Sequence, residues 1–293
     1  MVLKQNRVSA AYIIINVLLM LFTLSIIIPF YMVILSSFTN ELDLVKHGGM
    51  MFIPKSITFA AYKTAFSENR IFEAFKNSLF ITVVGTFFHM IITSMLAYPL
   101  SKNLRYGKII GFLIYFTMLF HGGLIPTFLL FKKMHLLNSL WVIIVAMLVT
   151  PYHMILLRNF FAEIPKELEE SALIDGAGQI KILFSMILPL SMPAIATVGL
   201  FSMVAYWNNW LQAVFFITDK SKWPLPTILM LMLQNAFRTT SPEEMVNIKD
   251  EIRMPAESLK YATLVVTTLP IMLVYPFLQK YFATGLIVGA VKG

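Results

Sequence analysis

Charged side chains gather in one interior stretch of this largely apolar chain, residues 162–193. Its carboxylates are Glu163, Glu167, Glu169, Glu170 and Asp175. Carboxylates at this density form ion pairs and charge-assisted hydrogen bonds with a partner protein. Catalytic or metal chemistry needs further groups, and the sequence shows no cysteine, no metal-binding spacing of its five histidines and no nucleotide-binding glycine loop. The stretch is therefore a candidate surface for recognition.

The same stretch has the features of two short helices joined by a tight turn. Pro165 suits the first turn of a helix, and residues 166–174 are largely helix formers. Asp175 and Gly176 are expected to end that helix, since glycine accepts a positive φ, and Asp175 is expected to cap the helix that follows over 177–188. This second helix is expected to continue into the next apolar segment and to carry movement of the first helix into it.

The first helix carries one apolar stripe, Leu168, Ala172 and Leu173, among its carboxylates. A short helix of this kind can dock in a groove of another protein. Each charged side chain costs roughly 2.5–3.5 kcal/mol at the centre of a bilayer, so the stretch must lie outside the hydrocarbon. Spacing alone leaves two interpretations open, a simple amphipathic connector or a docking surface.

Composition places the rest of the chain in a membrane. Of the 293 residues, 58% are hydrophobic and 13% are charged, whereas soluble domains carry roughly 25% charged residues. The mean hydropathy is +0.77. The net charge of +8 is explained by basic residues that flank membrane helices and contact anionic headgroups, so it does not predict a nucleic-acid partner.

Six apolar segments are predicted to cross the membrane as helices, which makes residues 1–293 a single all-α transmembrane domain. The segments are about 11–36, 77–100, 109–131, 138–158, 186–217 and 261–280. The loop 159–185 and both termini are assigned to the cytoplasm, because Lys and Arg are denser on that side. A break at His121–Gly123 is expected in the third segment, a short helix at 60–67, and an interfacial or re-entrant piece at 223–237.

The fifth segment carries a second group of polar and aromatic residues. They are Tyr206, Trp207, Asn208, Asn209, Trp210 and Gln212. Amides at membrane depth need a polar cavity or a partner helix, and aromatic rings beside amides suit sugar recognition. The group is therefore a candidate lining of a translocation path. An aromatic belt at the membrane interface is the alternative, and it stays open.

Two histidines, His89 and His121, fall within predicted membrane segments. Ionisable residues at such depth are candidates for function by default. His89 stands beside Phe87, Phe88 and Met90, so we interpret it as a neutral, hydrogen-bonded residue at a contact between helices.

One spacing in the charged stretch is specific. Glu170-Ser171-Ala172 is followed after three residues by Gly176, and nine residues later by Met186-Ile187-Leu188-Pro189. The pattern resembles the EAA loop of ABC importer permeases, which is Glu-Ala-Ala, three residues, Gly, nine residues, and Ile-x-Leu-Pro. Ser171 and Met186 depart from that pattern, and both replacements are compatible with a helix.

The resemblance extends along the chain. The stretches NSLFITVVGT, GGLIPTFLLFKKMHLLNS, LEESALIDGA and YWNNWL are similar to those of carbohydrate permeases of the maltose-importer type. The nearest group is that of lipopolymer, polysaccharide and alginate-oligosaccharide permeases. The fold that this resemblance implies is the type I ABC importer permease fold with six transmembrane helices.

The resemblance also implies partners and a location. A homologous permease would form a heterodimer with this chain, two ATPase subunits would bind the cytoplasmic loops and use ATP and Mg, and a solute-binding protein would deliver a saccharide. The chain would be a transport subunit of the bacterial inner membrane with no catalytic residue, cofactor or metal of its own. The implied ATPase-coupling residues are Glu169, Glu170, Ser171, Ala172, Asp175 and Gly176.

Two other functions are considered on the residues. An ion-coupled secondary transporter predicts acidic groups within its spans, and the six predicted spans contain no Asp or Glu. A membrane enzyme predicts a polar catalytic cluster, and none stands out. The basic balance favours an acidic cargo such as a uronate oligosaccharide, although basic flanks are general among membrane proteins.

Overall fold

The computed structural model describes residues 10–54, 56–67, 69–102, 104–238 and 257–290, and their regular structure is helical without a strand. The helices are α1 (Ala10–Ser37), α2 (Glu41–Lys46), α3 (Ala60–Ser67), α4 (Asn69–Leu100), α5 (Gly107–Leu119), α6 (Leu124–Lys133), α7 (Trp141–Ala146), α8 (Pro151–Ala162), α9 (Lys166–Ile174), α10 (Gln179–Ile182), α11 (Leu188–Leu190), α12 (Met192–Trp207), α13 (Leu211–Phe216), α14 (Leu225–Arg238) and α15 (Glu257–Ala290). A π-helical turn (Leu183–Ile187) joins α10 to α11, and a 3-10 turn (Lys220–Lys222) precedes α14. The chain forms two compact units.

The first unit comprises Met1–Glu68 and Met232–Thr268. Its helix α1 is apolar on every side, and most of its side chains are exposed. A helix that is hydrophobic all round needs an apolar surrounding. The window Tyr12–Ser37 is long enough to cross a bilayer and has a mean hydropathy of 2.6. The predicted short helix at 60–67 is confirmed as α3.

A carboxylate fixes the beginning of α15 within this first unit. Glu41 accepts hydrogen bonds from the backbone N–H groups of Glu257 and Ser258, at 2.8 and 2.9 Å. The N–H groups of a first helical turn lack partners within the helix and attract an anion. The Tyr261 hydroxyl donates to the Gly49 carbonyl at 2.7 Å, which ties the same helix to the loop after α2.

The second unit comprises Asn69–Leu231 and Leu269–Gly293 and is centred on α4, which packs along α8 and α12. Gly85 allows α4 to pack closely on α12, because a Cβ at that position would lie 2.7 Å from the Tyr206 ring. Tyr206 is 2% exposed and donates its hydroxyl proton to the Ile144 carbonyl at 3.0 Å. The Tyr206 side chain thereby joins three helices.

Three described helices are long and apolar enough to cross a membrane, and the count rises to five if each of two bent pairs crosses once. The helices are Tyr12–Ser37, Arg70–Leu100 and Glu257–Pro276. One bent pair is α5 with α6, which meet at 113° around Gly123, whose φ is +84°. The break expected at His121–Gly123 is confirmed.

The expected continuity of the loop helix with the next membrane helix is wrong. The segment Gln179–Leu190 and helix α12 meet at an angle of 89° at Ser191. Pro189 and Pro193 lie on either side, each in the first turn of its own helix. Proline has no N–H to donate to the preceding turn, so two prolines around one residue favour a break.

Two predicted spans are also divided in the structure. Over 138–158 the chain forms α7 and α8, with residues 147–150 between them, and Pro151 begins α8. Over 186–217 it forms α11, α12 and α13. The stretch 223–237, expected to be interfacial or re-entrant, falls largely in α14.

Candidate functional site

The charged stretch folds as the predicted helix, turn and second helix. Helix α9 ends at Ile174, and Gly176 follows in the left-handed region with a φ of +79°. The Gly176 N–H donates to the Leu173 carbonyl at 3.0 Å, and the Ala177 N–H donates to the Ala172 carbonyl at 2.9 Å. These two bonds form a Schellman motif, in which glycine avoids the strain that a side chain would meet.

The capping role expected for Asp175 is wrong. Asp175 is the C-cap residue of α9. The N-cap residue of the second helix, α10, is Gly178, which has no side chain to donate or accept a hydrogen bond. The local reason is the tight Schellman turn, which places Asp175 before the reversal of the chain. Its carboxylate is exposed at the turn.

Among the residues that the structure describes, none covers the outer face of α9 and its turn. Glu170, Ser171, Asp175 and Gly176 are all exposed. Large apolar side chains accompany them. Their exposed fractions are 43% for Leu168, 45% for Leu173, 86% for Ile174 and 68% for Ile180. Exposed apolar side chains within a polar rim are typical of a protein interface.

Two residues of the predicted coupling set point the other way. Glu169 is only 8% exposed, and Ala172 packs on the apolar cluster beneath the loop. That cluster includes Tyr98, Leu157, Phe161, Leu183 and Ile187. The six residues inferred from the sequence are therefore brought together on one helix and turn, but they occupy two different faces.

Glu169 is held by side chains from the end of α4. Its Oε1 accepts the Lys102 ammonium in an ion pair, and its Oε2 lies 3.2 Å from the Tyr98 hydroxyl. The same hydroxyl lies 2.9 Å from Gln179 Oε1 at the start of α10. One phenolic proton serves one acceptor at a time, and the carboxylate is the stronger acceptor. The Lys102 ammonium also stands 4.6 Å from the centre of the Tyr98 ring.

Tyr98, Lys102 and Gln179 belong to this site and were not predicted from the sequence. In the sequence, Lys102 is one of several basic residues just after the predicted span 77–100, and Tyr98 lies near the end of that span. Their signal was weak because Lys102 and Glu169 are 67 residues apart. A basic residue at the end of one span and a buried acid in a loop become a pair only once the fold is known.

The aromatic and amide group at the end of α12 and just beyond it is split between interior and surface. Tyr206 and Trp207 are 2% and 3% exposed, whereas Asn208 is exposed. Asn209 Nδ2 lies 3.0 Å from Met147 Sδ, and its Oδ1 is buried with no hydrogen-bond partner in the described structure. Trp210 and Gln212 are half-buried. The group is thus adjacent in space, and Tyr206 within it packs between helices.

The interpretation of His89 as a residue at a helix contact is confirmed. It is 1% exposed, and its Nε2 lies 2.9 Å from His153 Nδ1 on α8. Its Nδ1 lies 3.1 Å from the Met147 carbonyl, which fixes the orientation of the ring. His121 is exposed in the bend between α5 and α6. Among the described residues, no group of three or more His, Cys, Asp or Glu side chains is arranged to hold a metal ion.

A largely apolar helical fold with an exposed, charged helix and turn is the architecture expected of a permease subunit. The chain belongs to the family described as the binding-protein-dependent transport system inner membrane component, whose model matches residues 7–288. Membership makes this chain a membrane-embedded transport subunit and not an enzyme. The resemblance to ABC importer permeases is confirmed.

Relatives from Bacillus subtilis (strain 168) match nearly the whole chain. The polygalacturonan/rhamnogalacturonan transport system permease protein YtcP is 40% identical over 94% of this chain and 96% of its own. Protein LplC is 41% identical over 91% of this chain and 90% of its own. The arabinooligosaccharides transport system permease protein AraQ of Halalkalibacterium halodurans is 29% identical over 91% of both chains.

A solved structure has the same fold. It is a chain in the crystal structure of a bacterial ABC transporter involved in the import of the acidic polysaccharide alginate. The TM-score is 0.82 at 29% identity, over 96% of this chain and 100% of that one. The fold is therefore that of a type I permease.

Proposed function

We propose that this chain is one of two homologous permease subunits in an ATP-driven importer of an oligo- or polysaccharide. Two partner ATPase subunits bind and hydrolyse ATP with Mg, and this chain holds no cofactor. A solute-binding protein delivers the saccharide to the path between the permeases. The carrying observation is the uncovered face of α9 and the Gly176 turn, where exposed apolar and acidic side chains meet.

The cargo class is inferred from the relatives. Several of these relatives are permeases for saccharides. The saccharides named for YtcP and for the solved transporter are acidic polymers. We therefore propose an acidic saccharide such as a uronate oligosaccharide as the first cargo to test. Tyr206, Trp207, Asn208, Asn209, Trp210 and Gln212 remain the candidate path residues. The alternative of an ion-coupled transporter has no support from the family.

A six-span arrangement with both termini inside fits the contacts at the two ends of the predicted span 77–100, which lies within α4. At one end, Tyr98 reaches Glu169 in the loop 159–185, which that arrangement places in the cytoplasm. At the other end, Asn77 Nδ2 donates to the Ser221 carbonyl at 2.9 Å, in a loop assigned to the outside. Each of these hydrogen bonds joins one end of the span to a loop assigned to the same side, which supports the proposed topology.

The outer loop is held by a second set of hydrogen bonds. The Asp219 N–H donates to Asn138 Oδ1 at 2.9 Å, which joins two loops assigned to the same side. Hydrogen bonds from the Ser221 hydroxyl and its backbone N–H lower the pKa of the Asp219 carboxyl. The same two hydrogen bonds join Asp219 to Ser221 across the 3-10 turn Lys220–Lys222.

The mechanism follows from rigid-body movement. When the ATPase pair closes on ATP, the grooves that hold the two permease loops approach each other. A docked α9 moves with its groove, and the membrane helices packed against it tilt, which is alternating access by rocking. This chain therefore transmits the movement of α9 to its membrane helices, and ATP hydrolysis by the partner ATPase supplies the energy.

Reconstitution tests this function. The chain, its partner permease and the ATPase are co-purified, placed in proteoliposomes and supplied with the binding protein and a uronate oligosaccharide. We expect ATP hydrolysis to rise several-fold only when binding protein and saccharide are both present, with uptake of the saccharide. A neutral oligosaccharide is the matched control for cargo charge. Absence of a stable complex with the ATPase, or saccharide uptake driven by an ion gradient without ATP, would refute the proposal.

A further inference from the structure

The backbone route from α9 into the membrane helices has three joints. The Gly176 turn follows α9, the π-helical turn occupies Leu183–Ile187, and the 89° bend lies at Ser191. Wide π-helical turns and sharp bends interrupt the regular hydrogen bonding that makes a helix stiff. A push on α9 therefore reaches α12 through a jointed chain rather than a single rod.

A side-chain route is shorter. Tyr98 lies in the last turn of α4 and Lys102 just beyond it, and both hold Glu169 on α9 directly. Tyr98 also lies 2.9 Å from Gln179 Oε1, so one hydroxyl stands between the docking helix and the helix after the turn. We name Tyr98, Lys102 and Glu169 the clasp.

Burial makes the clasp stiff. The side chains of Glu169 and Lys102 are 10% and 30% exposed, so solvent screens their attraction less than it would at the surface. Removing one partner of a buried pair leaves the other charge uncompensated, which is costly. The clasp therefore resists separation of α9 from α4 much more than a surface ion pair does.

We propose that the clasp makes α9 and the cytoplasmic end of α4 move as one body, so that α4 is the helix through which movement of the docked loop enters the membrane. Tyr98, Lys102 and Glu169 act as positioning residues in this inference, which rests on the proposed function. Helix α4 packs along both α8 and α12, so its displacement is passed to two further helices.

Tyr98→Phe tests the clasp by removing a single hydroxyl group. In the reconstituted importer we expect normal assembly and ATP hydrolysis within about twofold of wild type, while saccharide imported per ATP falls about tenfold, the scale of one hydrogen bond to a charged group. Tyr106→Phe is the matched control, since Tyr106 is 59% exposed and undergoes the same chemical change. Equal import per ATP in the two variants would overturn the proposal.

A cross-link between the Lys102 and Glu169 positions tests the clasp independently. It remains informative even if the Tyr98→Phe variant fails to assemble. Lys102→Cys with Glu169→Cys is placed in this otherwise cysteine-free chain, within a complex freed of reactive cysteines elsewhere. Before cross-linking the clasp is absent, and import per ATP is expected to be about tenfold below wild type. A short bifunctional thiol reagent is expected to restore it, because a body that moves as one tolerates a rigid link.

Loss of import on cross-linking would show that α9 and α4 must separate during transport, which contradicts the clasp. The single variants treated with the same reagent control for modification alone, and Lys102→Arg is expected to keep coupling because it keeps the ion pair. Failure of the wild-type complex to couple ATP hydrolysis to the binding protein would refute the proposed function instead. The two failures are therefore distinguishable.

Discussion

Gly176 sets the angle between the docking helix and the rest of the loop by backbone conformation rather than by lack of space. Its φ of +79° lies in the left-handed region, yet nothing approaches within 4 Å of the position that a Cβ would occupy. A side chain there meets no neighbour, and its cost is confined to the dihedral angles. This separates a conformational role from a packing role at one residue.

Gly176→Val is expected to uncouple transport. A β-branched residue in the left-handed region costs about 1–2 kcal/mol, so the turn opens and the outer face of α9 is misdirected. We expect normal membrane insertion but a fall of about tenfold in saccharide import per ATP. The measurement is uptake against hydrolysis in proteoliposomes.

Gly178→Val is the matched control for that substitution. Gly178 is two residues away, equally open to solvent, and has an ordinary φ of −73°. It should therefore retain coupling, and Gly176→Asn should lose less than Gly176→Val because asparagine tolerates positive φ. Uncoupling of equal size at both glycines would exclude the conformational explanation.

Local chemistry decided which residues of the site could be predicted from sequence. The Gly176 turn was predictable because a glycine after a helix acts through its own backbone. The inward direction of Glu169 was not, because it depends on Lys102 and Tyr98 from another helix. Glu169 and Glu170 are adjacent in sequence, and only the fold shows that one is buried and the other exposed.

The contact between α4 and α12 is the tightest described approach of any glycine to a neighbouring element. A Cβ on Gly85 would lie 2.7 Å from the Tyr206 ring, a separation that real atoms do not adopt. The ring cannot retreat easily, since its hydroxyl is bonded to the Ile144 carbonyl and its side chain is 2% exposed. The packing of α4 on α12 at this crossing therefore requires a residue without a Cβ atom at position 85.

Gly85→Ala is expected to destabilise the protein by about 1–3 kcal/mol through overpacking. Gly199→Ala on α12 is the control, since its nearest neighbour is Met90 Sδ at 3.9 Å, an ordinary contact. That change should be neutral or stabilising, because alanine favours a helix over glycine by about 1 kcal/mol. The measurement is thermal unfolding in detergent, and equal midpoints for both variants would contradict the packing described.

Breaks in helices were only partly predictable. Gly122 and Gly123 indicated the bend between α5 and α6, and the structure has it. Pro189 and Pro193 did not reveal the bend at Ser191, because each proline alone suits the first turn of a helix. Only the structure shows that each of these prolines begins its own helix, so that the chain changes direction between them.

At the scale of the whole molecule, composition predicted the class and the family pattern predicted the fold. The number of membrane crossings is harder to predict from the sequence. The two bent helix pairs, α5 with α6 and Gln179–Leu190 with α12, are both apolar. An apolar composition is the same whether such a pair crosses the membrane or turns back. Helix α1 shows the limit most clearly, since its exposed apolar surface fits lipid or another protein equally well.

The proposed coupling depends on one contact with a partner, between the outer face of α9 and a groove of the ATPase. Cysteine at Ser171 measures it, because Ser171 is exposed on that face and the chain has no native cysteine. Ser221→Cys is the control, in an exposed loop assigned to the opposite side of the membrane. We predict that Ser171→Cys cross-links to the ATPase in membranes of the assembled importer and that Ser221→Cys does not. Failure of Ser171→Cys across a range of linker lengths, or cross-linking from Ser221→Cys, would contradict the account.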